Sequence, residues 1–151
     1  MAGATDSSPY CRHFWWAPRA EVSLSVAAAS VRRMIPLSGV VLDAPDPQKL
    51  ARFYCELLDW KLGDDDETWA TATGPNDTKL SFQLEPNYRA PSWPSETETQ
   101  QMQLHLDFKV DDLEAAHHHA TSLGARLQDF QPQSNVRIYA DPVGHIFCFF
   151  V

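Results

Sequence analysis

The chain has 151 residues and a formal net charge of −8. That length is enough for one domain with its own hydrophobic core. The negative charge argues against nucleic-acid binding, because phosphate contacts need a basic surface, and no run approaches the roughly 20 apolar residues of a membrane span. The three cysteines, Cys11, Cys55 and Cys148, are too far apart to suggest a disulfide framework. We therefore expect a cytoplasmic protein that binds neither nucleic acid nor membrane.

The first 34 residues differ in composition from the rest. They contain runs of Ser and Ala, an aromatic cluster at residues 14–16 and no sustained apolar period. Proline and charged residues interrupt the stretch where a secretory signal would need an unbroken apolar region. We interpret residues 1–34 as an N-terminal extension, either a disordered tail or a stretch upstream of a true start at Met34. The folded domain is expected to span residues 35–151.

The first predicted unit, repeat one, covers residues 37–85. A short strand at residues 40–42 leads to Asp46, which can cap a helix that begins with Pro47. The helix carries an apolar stripe at Leu50, Phe53, Tyr54, Leu57 and Leu58. The acidic run at residues 64–67 reads as a solvated turn, and strands are predicted at residues 68–73 and 80–85. There is room for one more short strand, so the unit is βαβββ.

Residues 86–101 form a predicted linker. Pro86, Pro91 and Pro94 lie among Asn, Ser, Thr and Glu, a composition that disfavours regular structure. Tyr88 and Trp93 are candidates for a lid over a pocket, although aromatic residues held on the surface are an alternative interpretation.

The second predicted unit, repeat two, covers residues 102–151. Residues 104–110 alternate between apolar and polar, so His105 and Asp107 lie on the face opposite the core. Asp111 or Asp112 caps a helix that runs to Leu123 and is followed by Gly124. Strands are predicted at residues 125–130, 136–140 and 145–151, with a turn at residues 141–144.

The two units repeat along the chain. Gly39 matches His105 and Asp46 matches Asp112 at a separation of 66 residues, and Gln83 matches Cys148 at 65. Two copies of one unit can bury their open sheet faces around a shared cleft. The predicted fold is therefore α+β: two βαβββ repeats form a mixed, curved sheet around a cleft, with the helices outside.

Several motifs resemble the vicinal oxygen chelate superfamily, in its glyoxalase-like and bleomycin-resistance-like branch. In the first half they are Val40-Val41-Leu42-Asp43, Asp46-Pro47 and Phe53-Tyr54-Cys55-Glu56-Leu57-Leu58. In the second half they are His105-Leu106-Asp107, Val110-Asp111-Asp112-Leu113, Leu123-Gly124-Ala125, Ala140-Asp141-Pro142-Val143-Gly144-His145 and Phe147-Cys148. The resemblance covers residues 37–151 and implies a homodimer. Its fold hosts unrelated activities, so it implies the fold more than the function.

The resemblance also implies where a metal would bind. Metal-dependent members take ligands at positions that correspond here to Gly39, Gln83, His105 and Cys148. Only His105 is a usual ligand type, because Gly39 has no side chain and the pair of Gln83 and Cys148 is unusual for such a site. We therefore predict no metal and no other cofactor, with Asp107 or Glu85 as the alternative ligands that could complete a site.

Individual candidates keep alternative interpretations. His105 beside Asp107 can act as a base or anchor a ligand, or it can be a structural histidine hydrogen-bonded between the halves. Cys148 lies among aromatic residues, where an inert thiol is the simpler interpretation. Residues 117–119 are three consecutive histidines that diverge around a helix, so they cannot converge on one ion.

We predict a protein that binds a small organic molecule in the cleft between the two halves. The predicted ligand-binding residues are Gln83, His105, Asp107, Cys148, Trp69 and Trp93. The alternative is a metal-dependent lyase, isomerase or dioxygenase in which His105 is the best candidate for a catalytic residue.

Overall fold

A computed structural model of the chain describes residues 35–151, so the predictions for residues 1–34 lie outside the described part. The elements, in chain order, are β1 (Val40–Ala44), α1 (Pro47–Leu58), β2 (Lys61–Asp65), β3 (Trp69–Thr73), a 3₁₀ turn (Pro75–Asp77), β4 (Lys79–Leu84), β5 (Leu106–Lys109), α2 (Leu113–Ser122), β6 (Arg126–Leu127), β7 (Val136–Ala140) and β8 (Ile146–Phe150). Neither α1 nor α2, the helices of the described part, is long and apolar enough to cross a bilayer.

The strands form two four-stranded mixed sheets with the same topology. The strand order is β1-β4-β3-β2 in the first sheet and β5-β8-β7-β6 in the second. In each sheet the first and last strands of the unit pair in parallel, and the other neighbours are antiparallel. The prediction of an α+β fold with two βαβββ units is confirmed, and each unit makes its own sheet.

The main core lies between the helices and the apolar faces of both sheets. On α1, Phe53 and Tyr54 are buried against Phe82 of the first sheet and Phe147 of the second. A buried aromatic side chain stabilises a core by about 2–3 kcal/mol, so these contacts join the two halves firmly. A second, smaller cluster lies on the opposite face of the second sheet and includes Ile138, Ile146 and Cys148. Polar side chains on this opposite face are therefore available for a site.

Both helices begin at the residue type that the sequence favours. The Asp46 side chain accepts a hydrogen bond from the Lys49 backbone N–H at 3.0 Å, and Pro47 opens α1. For α2 the cap is Asp112, which accepts from the Glu114 and Ala115 N–H groups, so the alternative cap Asp111 is wrong. Gly124 follows α2 with a φ of 101°, as expected for a residue that ends a helix.

Two predicted loops and strands differ from the structure. The acidic run at residues 64–67 is not all turn, because Asp64 and Asp65 belong to the edge strand β2. Asp65 there accepts hydrogen bonds from Gln48 and Arg52 of α1, which satisfy its charge. The strand predicted at residues 125–130 shrinks to the two residues of β6.

The register of the sheets corrects the internal pairing of Gln83 with Cys148. Asp107 lies opposite Cys148 in the second sheet, whereas Val41 lies opposite Ser81 in the first. Since Val41 and Asp107 are equivalent at the separation that relates Gly39 to His105, the counterpart of Cys148 is Ser81. Gln83 lies two residues further along and so keeps the same face.

Candidate functional site

Four of the six predicted ligand-binding residues line one pocket on the open face of the second sheet. The pocket has a volume of about 240 Å³ and contains Trp93, His105, Asp107 and Cys148. Its remaining walls are Pro132, Gln133, Val136, Ile138 and Phe150. We call this space the second-sheet pocket. It combines an apolar floor with a few polar groups, as small-molecule sites usually do.

The polar groups of the second-sheet pocket converge. His105 Nε2 lies 3.3 Å from Asp107 Oδ1, and both side chains are about half exposed. One ligand atom from each of His105, Asp107 and Cys148 lies within 4.8 Å of the other two. The alternation of β5 places His105 and Asp107 on the same face, and the parallel pairing with β8 brings Cys148 opposite Asp107.

The thiol of Cys148 is protonated near neutral pH. Burial, followed by the charge of the adjacent Asp107 carboxylate, raises the pKa of Cys148 to about 11. A thiol with a raised pKa is a poor nucleophile because the reactive form is the thiolate. In the protein without a metal, Cys148 is therefore a polarisable wall of the pocket.

The linker supplies the indole that borders the second-sheet pocket. Trp93 is partly buried against the smaller hydrophobic cluster of the second sheet. Its Nε1–H donates a hydrogen bond to the Phe130 carbonyl oxygen at 3.0 Å, and the two rings lie 6.2 Å apart. The hydrogen bond fixes the orientation of the indole beside the pocket.

The other two predicted residues lie on the first sheet and do not line this pocket. Trp69 and Gln83 pair with each other across β3 and β4. The Gln83 side chain lies 3.4 Å from Asp43 Oδ1 as a donor. The structure thus separates the six residues into a group of four and a group of two.

The donor set of the second-sheet pocket fits a zinc-type ion. Nitrogen, carboxylate oxygen and thiolate sulfur are all ordinary zinc ligands, and three of them leave one position open in a tetrahedral site. The first half adds no ligand at the corresponding positions, since these are Gly39 and Ser81. Glu85 lines a different pocket, so Asp107 is the carboxylate that can join His105.

A second pocket, which the sequence did not predict, lies between the two halves and under the linker. It has a volume of about 330 Å³ and is bordered by β1, the end of β4, the linker and the start of β8. We call it the inter-half pocket. Its most distinctive polar residue is His145, whose Nδ1 lies 3.0 Å from Asp141 Oδ2. The only sequence signal for this pair was a histidine four residues after an aspartate, within a turn that local chemistry explained.

Asp141 is fully buried and anchors both halves. Its Oδ1 accepts hydrogen bonds from three successive backbone N–H groups, those of residues 143–145. Its Oδ2 accepts from Tyr54 Oη at 3.1 Å and lies beside His145. Burial, reinforced by the charge of Asp141, raises the pKa of Tyr54 well above its usual value, so the phenol remains a donor.

The three histidines of α2 diverge. His117 Nδ1 lies 3.1 Å from Tyr139 Oη, and His119 Nε2 lies 3.2 Å from the Glu56 carbonyl oxygen. Each of these two rings therefore meets a different part of the fold.

Comparisons with known proteins agree with this architecture. Residues 39–150 match the family model described as a glyoxalase-like domain. The fosfomycin resistance protein FosX from Mesorhizobium loti is 15% identical, with 76% of this chain and 89% of that chain covered and a TM-score of 0.56. A possible glyoxalase from Bacillus cereus is 11% identical, with 78% and 99% covered and a TM-score of 0.58. A glyoxalase/bleomycin resistance protein/dioxygenase family enzyme from Burkholderia phytofirmans is 16% identical, with 76% and 97% covered and a TM-score of 0.57.

No curated protein matches the sequence of the chain. The solved structures are all below 25% identity and therefore bear on the fold, whereas the family model covers most of the chain. The repeated βαβββ unit, the two sheets and this match lead to one conclusion. The chain belongs to the glyoxalase-like domain family, within the vicinal oxygen chelate superfamily.

Proposed function

We propose that this protein binds a small organic molecule in the second-sheet pocket. The observation that carries the proposal is the convergence of Trp93, His105, Asp107 and Cys148 around one space of about 240 Å³. The apolar wall favours an apolar body, and the partly exposed pair of His105 and Asp107 can hydrogen-bond one polar end. The negative charge of the chain favours an uncharged or cationic ligand.

A fragment screen followed by NMR on the full chain tests this proposal. A ligand in the second-sheet pocket should shift the indole N–H resonance of Trp93 in a saturable manner. Trp93→Ala should weaken binding at least tenfold, because burial of apolar ligand surface against an indole contributes more than about 1.4 kcal/mol. The matched variant Trp69→Ala, on the first sheet, should bind as the natural protein does. Equal affinity of both variants and the natural protein would reject the pocket.

The fosfomycin resistance protein among the similar structures suggests one chemical group for the screen. Its printed name associates it with resistance to fosfomycin. Resistance proteins that bind or modify a drug need a pocket of small-molecule size, which the second sheet provides. We include phosphonate and epoxide fragments for this reason, together with uncharged aromatic fragments that suit Trp93.

A second candidate function, that of a metal-dependent enzyme, is supported by the three converging donors. His105, Asp107 and Cys148 would hold a zinc-type ion, which supplies a Lewis acid that polarises a substrate oxygen. Zinc does not change oxidation state, so this donor set favours a lyase or isomerase over a dioxygenase. The chain's own contribution would be to orient the substrate against Trp93 and to exclude water with Ile138 and Phe150.

Titration with Co²⁺ and Zn²⁺ separates the two candidates. A bound Co²⁺ in contact with Cys148 gives a thiolate charge-transfer absorption, and Cys148→Ser should abolish it. Cys55→Ser, on α1, is the matched control because Cys55 is a free thiol away from the pocket. Stoichiometric metal that depends on Cys148 would support the enzyme, whereas no metal at millimolar concentration would support the binding module.

We also propose that the protein is a cytoplasmic homodimer. Free thiols at Cys55 and Cys148 suit a reducing compartment. A second copy offers a way for Trp69 and Gln83 to reach the second-sheet pocket of its partner. Sedimentation velocity gives the oligomeric state and cell fractionation gives the compartment. A monomer at all concentrations would reject the dimer, and enrichment outside the cytoplasm would reject the localisation.

A further inference from the structure

The inter-half pocket contains a histidine whose second ring nitrogen is open to ligand. A carboxylate can only accept hydrogen bonds, so the contact of 3.0 Å to Asp141 Oδ2 places the proton of His145 on Nδ1. Nε2 of the neutral ring is then an acceptor. Among residues 35–151, the only buried side-chain polar atom without a hydrogen-bond partner is Tyr88 Oη. His145 Nε2 also has no hydrogen bond there, so it is not buried and opens into the pocket that its ring borders.

The orientation of His145 is fixed before any ligand arrives. Asp141, which is fully buried, accepts from the His145 backbone N–H as well as facing its ring. The Tyr88 ring packs against the other side, with 5.0 Å between ring centroids. A ligand therefore does not have to order this side chain, which lowers the entropic cost of binding.

The walls of the inter-half pocket define the rest of the ligand. Val41, Leu104 and Ile146 contribute apolar surface. Two carboxylates, Asp43 and Glu85, face a single Arg89 among the charged residues that border it. Excess negative charge disfavours an anionic ligand by like-charge repulsion.

We propose that the inter-half pocket is a second binding site, for a small and mainly apolar molecule that carries an O–H or N–H donor and no negative charge. The donor gives its hydrogen to His145 Nε2, and the apolar body lies against Leu104 and Ile146. The site is independent of the proposed function, because the two pockets share no lining residue.

Three matched aromatic probes test this proposal on the full chain. 4-Methylphenol has the donor, 4-methylanisole has the same ring without a donor, and 4-methylbenzoate carries a negative charge. Imidazole ¹H–¹⁵N NMR should show a saturable change at His145 Nε2 with the phenol. The phenol should bind about fivefold more tightly than the anisole, the effect of one net hydrogen bond, and the benzoate should bind most weakly. Equal affinity for all three probes would overturn the proposal.

Variants locate the binding. Leu104→Trp fills the inter-half pocket and should abolish the response to the phenol. Leu127→Trp is the matched control, since Leu127 is similarly exposed and lies on the edge strand β6. His145→Asn keeps a donor toward Asp141 but removes the Nε2 acceptor, so it should reduce the preference for the phenol over the anisole to about onefold. Unchanged phenol binding by Leu104→Trp, or loss of binding in Trp93→Ala instead, would overturn the proposal.

Discussion

The hydroxyl of Tyr54 should contribute about 2 kcal/mol to the free energy of unfolding. Tyr54 is fully buried and donates to Asp141 Oδ2 at 3.1 Å, which connects α1 of the first half to the turn before β8 in the second. A hydrogen bond to a charged group contributes about 1.5–3 kcal/mol. Tyr54→Phe keeps the ring packing against Phe82, so it isolates that hydrogen bond.

Urea unfolding monitored by circular dichroism measures this effect. At neutral pH the loss of about 2 kcal/mol should lower the Tm by roughly 8 °C, since each kcal/mol lowers it by about 4 °C in a domain of this size. Tyr88→Phe is the matched control, because Tyr88 Oη is buried without a partner in the described residues. Removal of an unpartnered hydroxyl should leave stability unchanged or raise it. A Tyr54→Phe effect below about 0.5 kcal/mol, or an equal loss in Tyr88→Phe, would refute this reasoning.

The same hydrogen bond has a defined pH dependence. Burial raises the pKa of Tyr54 in the folded state, so above about pH 10 the unfolded state loses this proton first. The stability that the neutral phenol provides is therefore complete below pH 10 and decreases as the pH rises beyond it. The difference between the natural protein and Tyr54→Phe should narrow by up to about 1.4 kcal/mol per pH unit in that range. A difference that stays constant up to pH 11 would contradict the assignment of Tyr54 as a buried neutral donor.

Three further predictions concern single sites. In a Cys11→Ser/Cys55→Ser background, Cys148 should react with iodoacetamide slowly at pH 8 and faster toward pH 11, and Asp107→Asn should move that profile to lower pH; a fast reaction at pH 7 would contradict the raised pKa. Gly144→Ala should destabilise more than Gly124→Ala as measured by urea unfolding: both glycines have φ above 100°, but a Cβ at Gly144 would lie 2.5 Å from the Ala90 Cβ, whereas nothing lies within 4 Å at Gly124. The Gly124 variant should cost about 1 kcal/mol from strain alone, and equal costs would contradict the close approach at Gly144. Asp112→Ala should cost about 1 kcal/mol in the same assay and Asp111→Ala close to none, because only Asp112 caps α2; the reverse order would reassign the cap.

Local chemistry predicted most of the fold. The caps Asp46 and Asp112 and the glycine after α2 act through neighbouring residues, so the sequence contains the whole signal. The match of Gln83 with Cys148 was wrong because strand alternation has a period of two, and a slip of two residues leaves every side chain on the same face. Only the register between strands distinguishes Ser81 from Gln83.

The two pockets show a similar limit. His105 and Asp107 are two residues apart on one strand, so their proximity follows from alternation. The role of Asp141 depends on Tyr54, which is 87 residues away, and a turn signature already explained the aspartate. The inter-half pocket is bordered by both halves and by the linker, whose path no local pattern determines.

A crystal structure of the protein soaked with the best fragment tests the central claim most directly, that the second-sheet pocket holds a small organic molecule. The fragment is expected to lie against the Trp93 indole, with a polar atom within hydrogen-bond distance of His105 or Asp107. Density for the fragment only at other places on the protein, with the second-sheet pocket holding solvent alone, would contradict the claim.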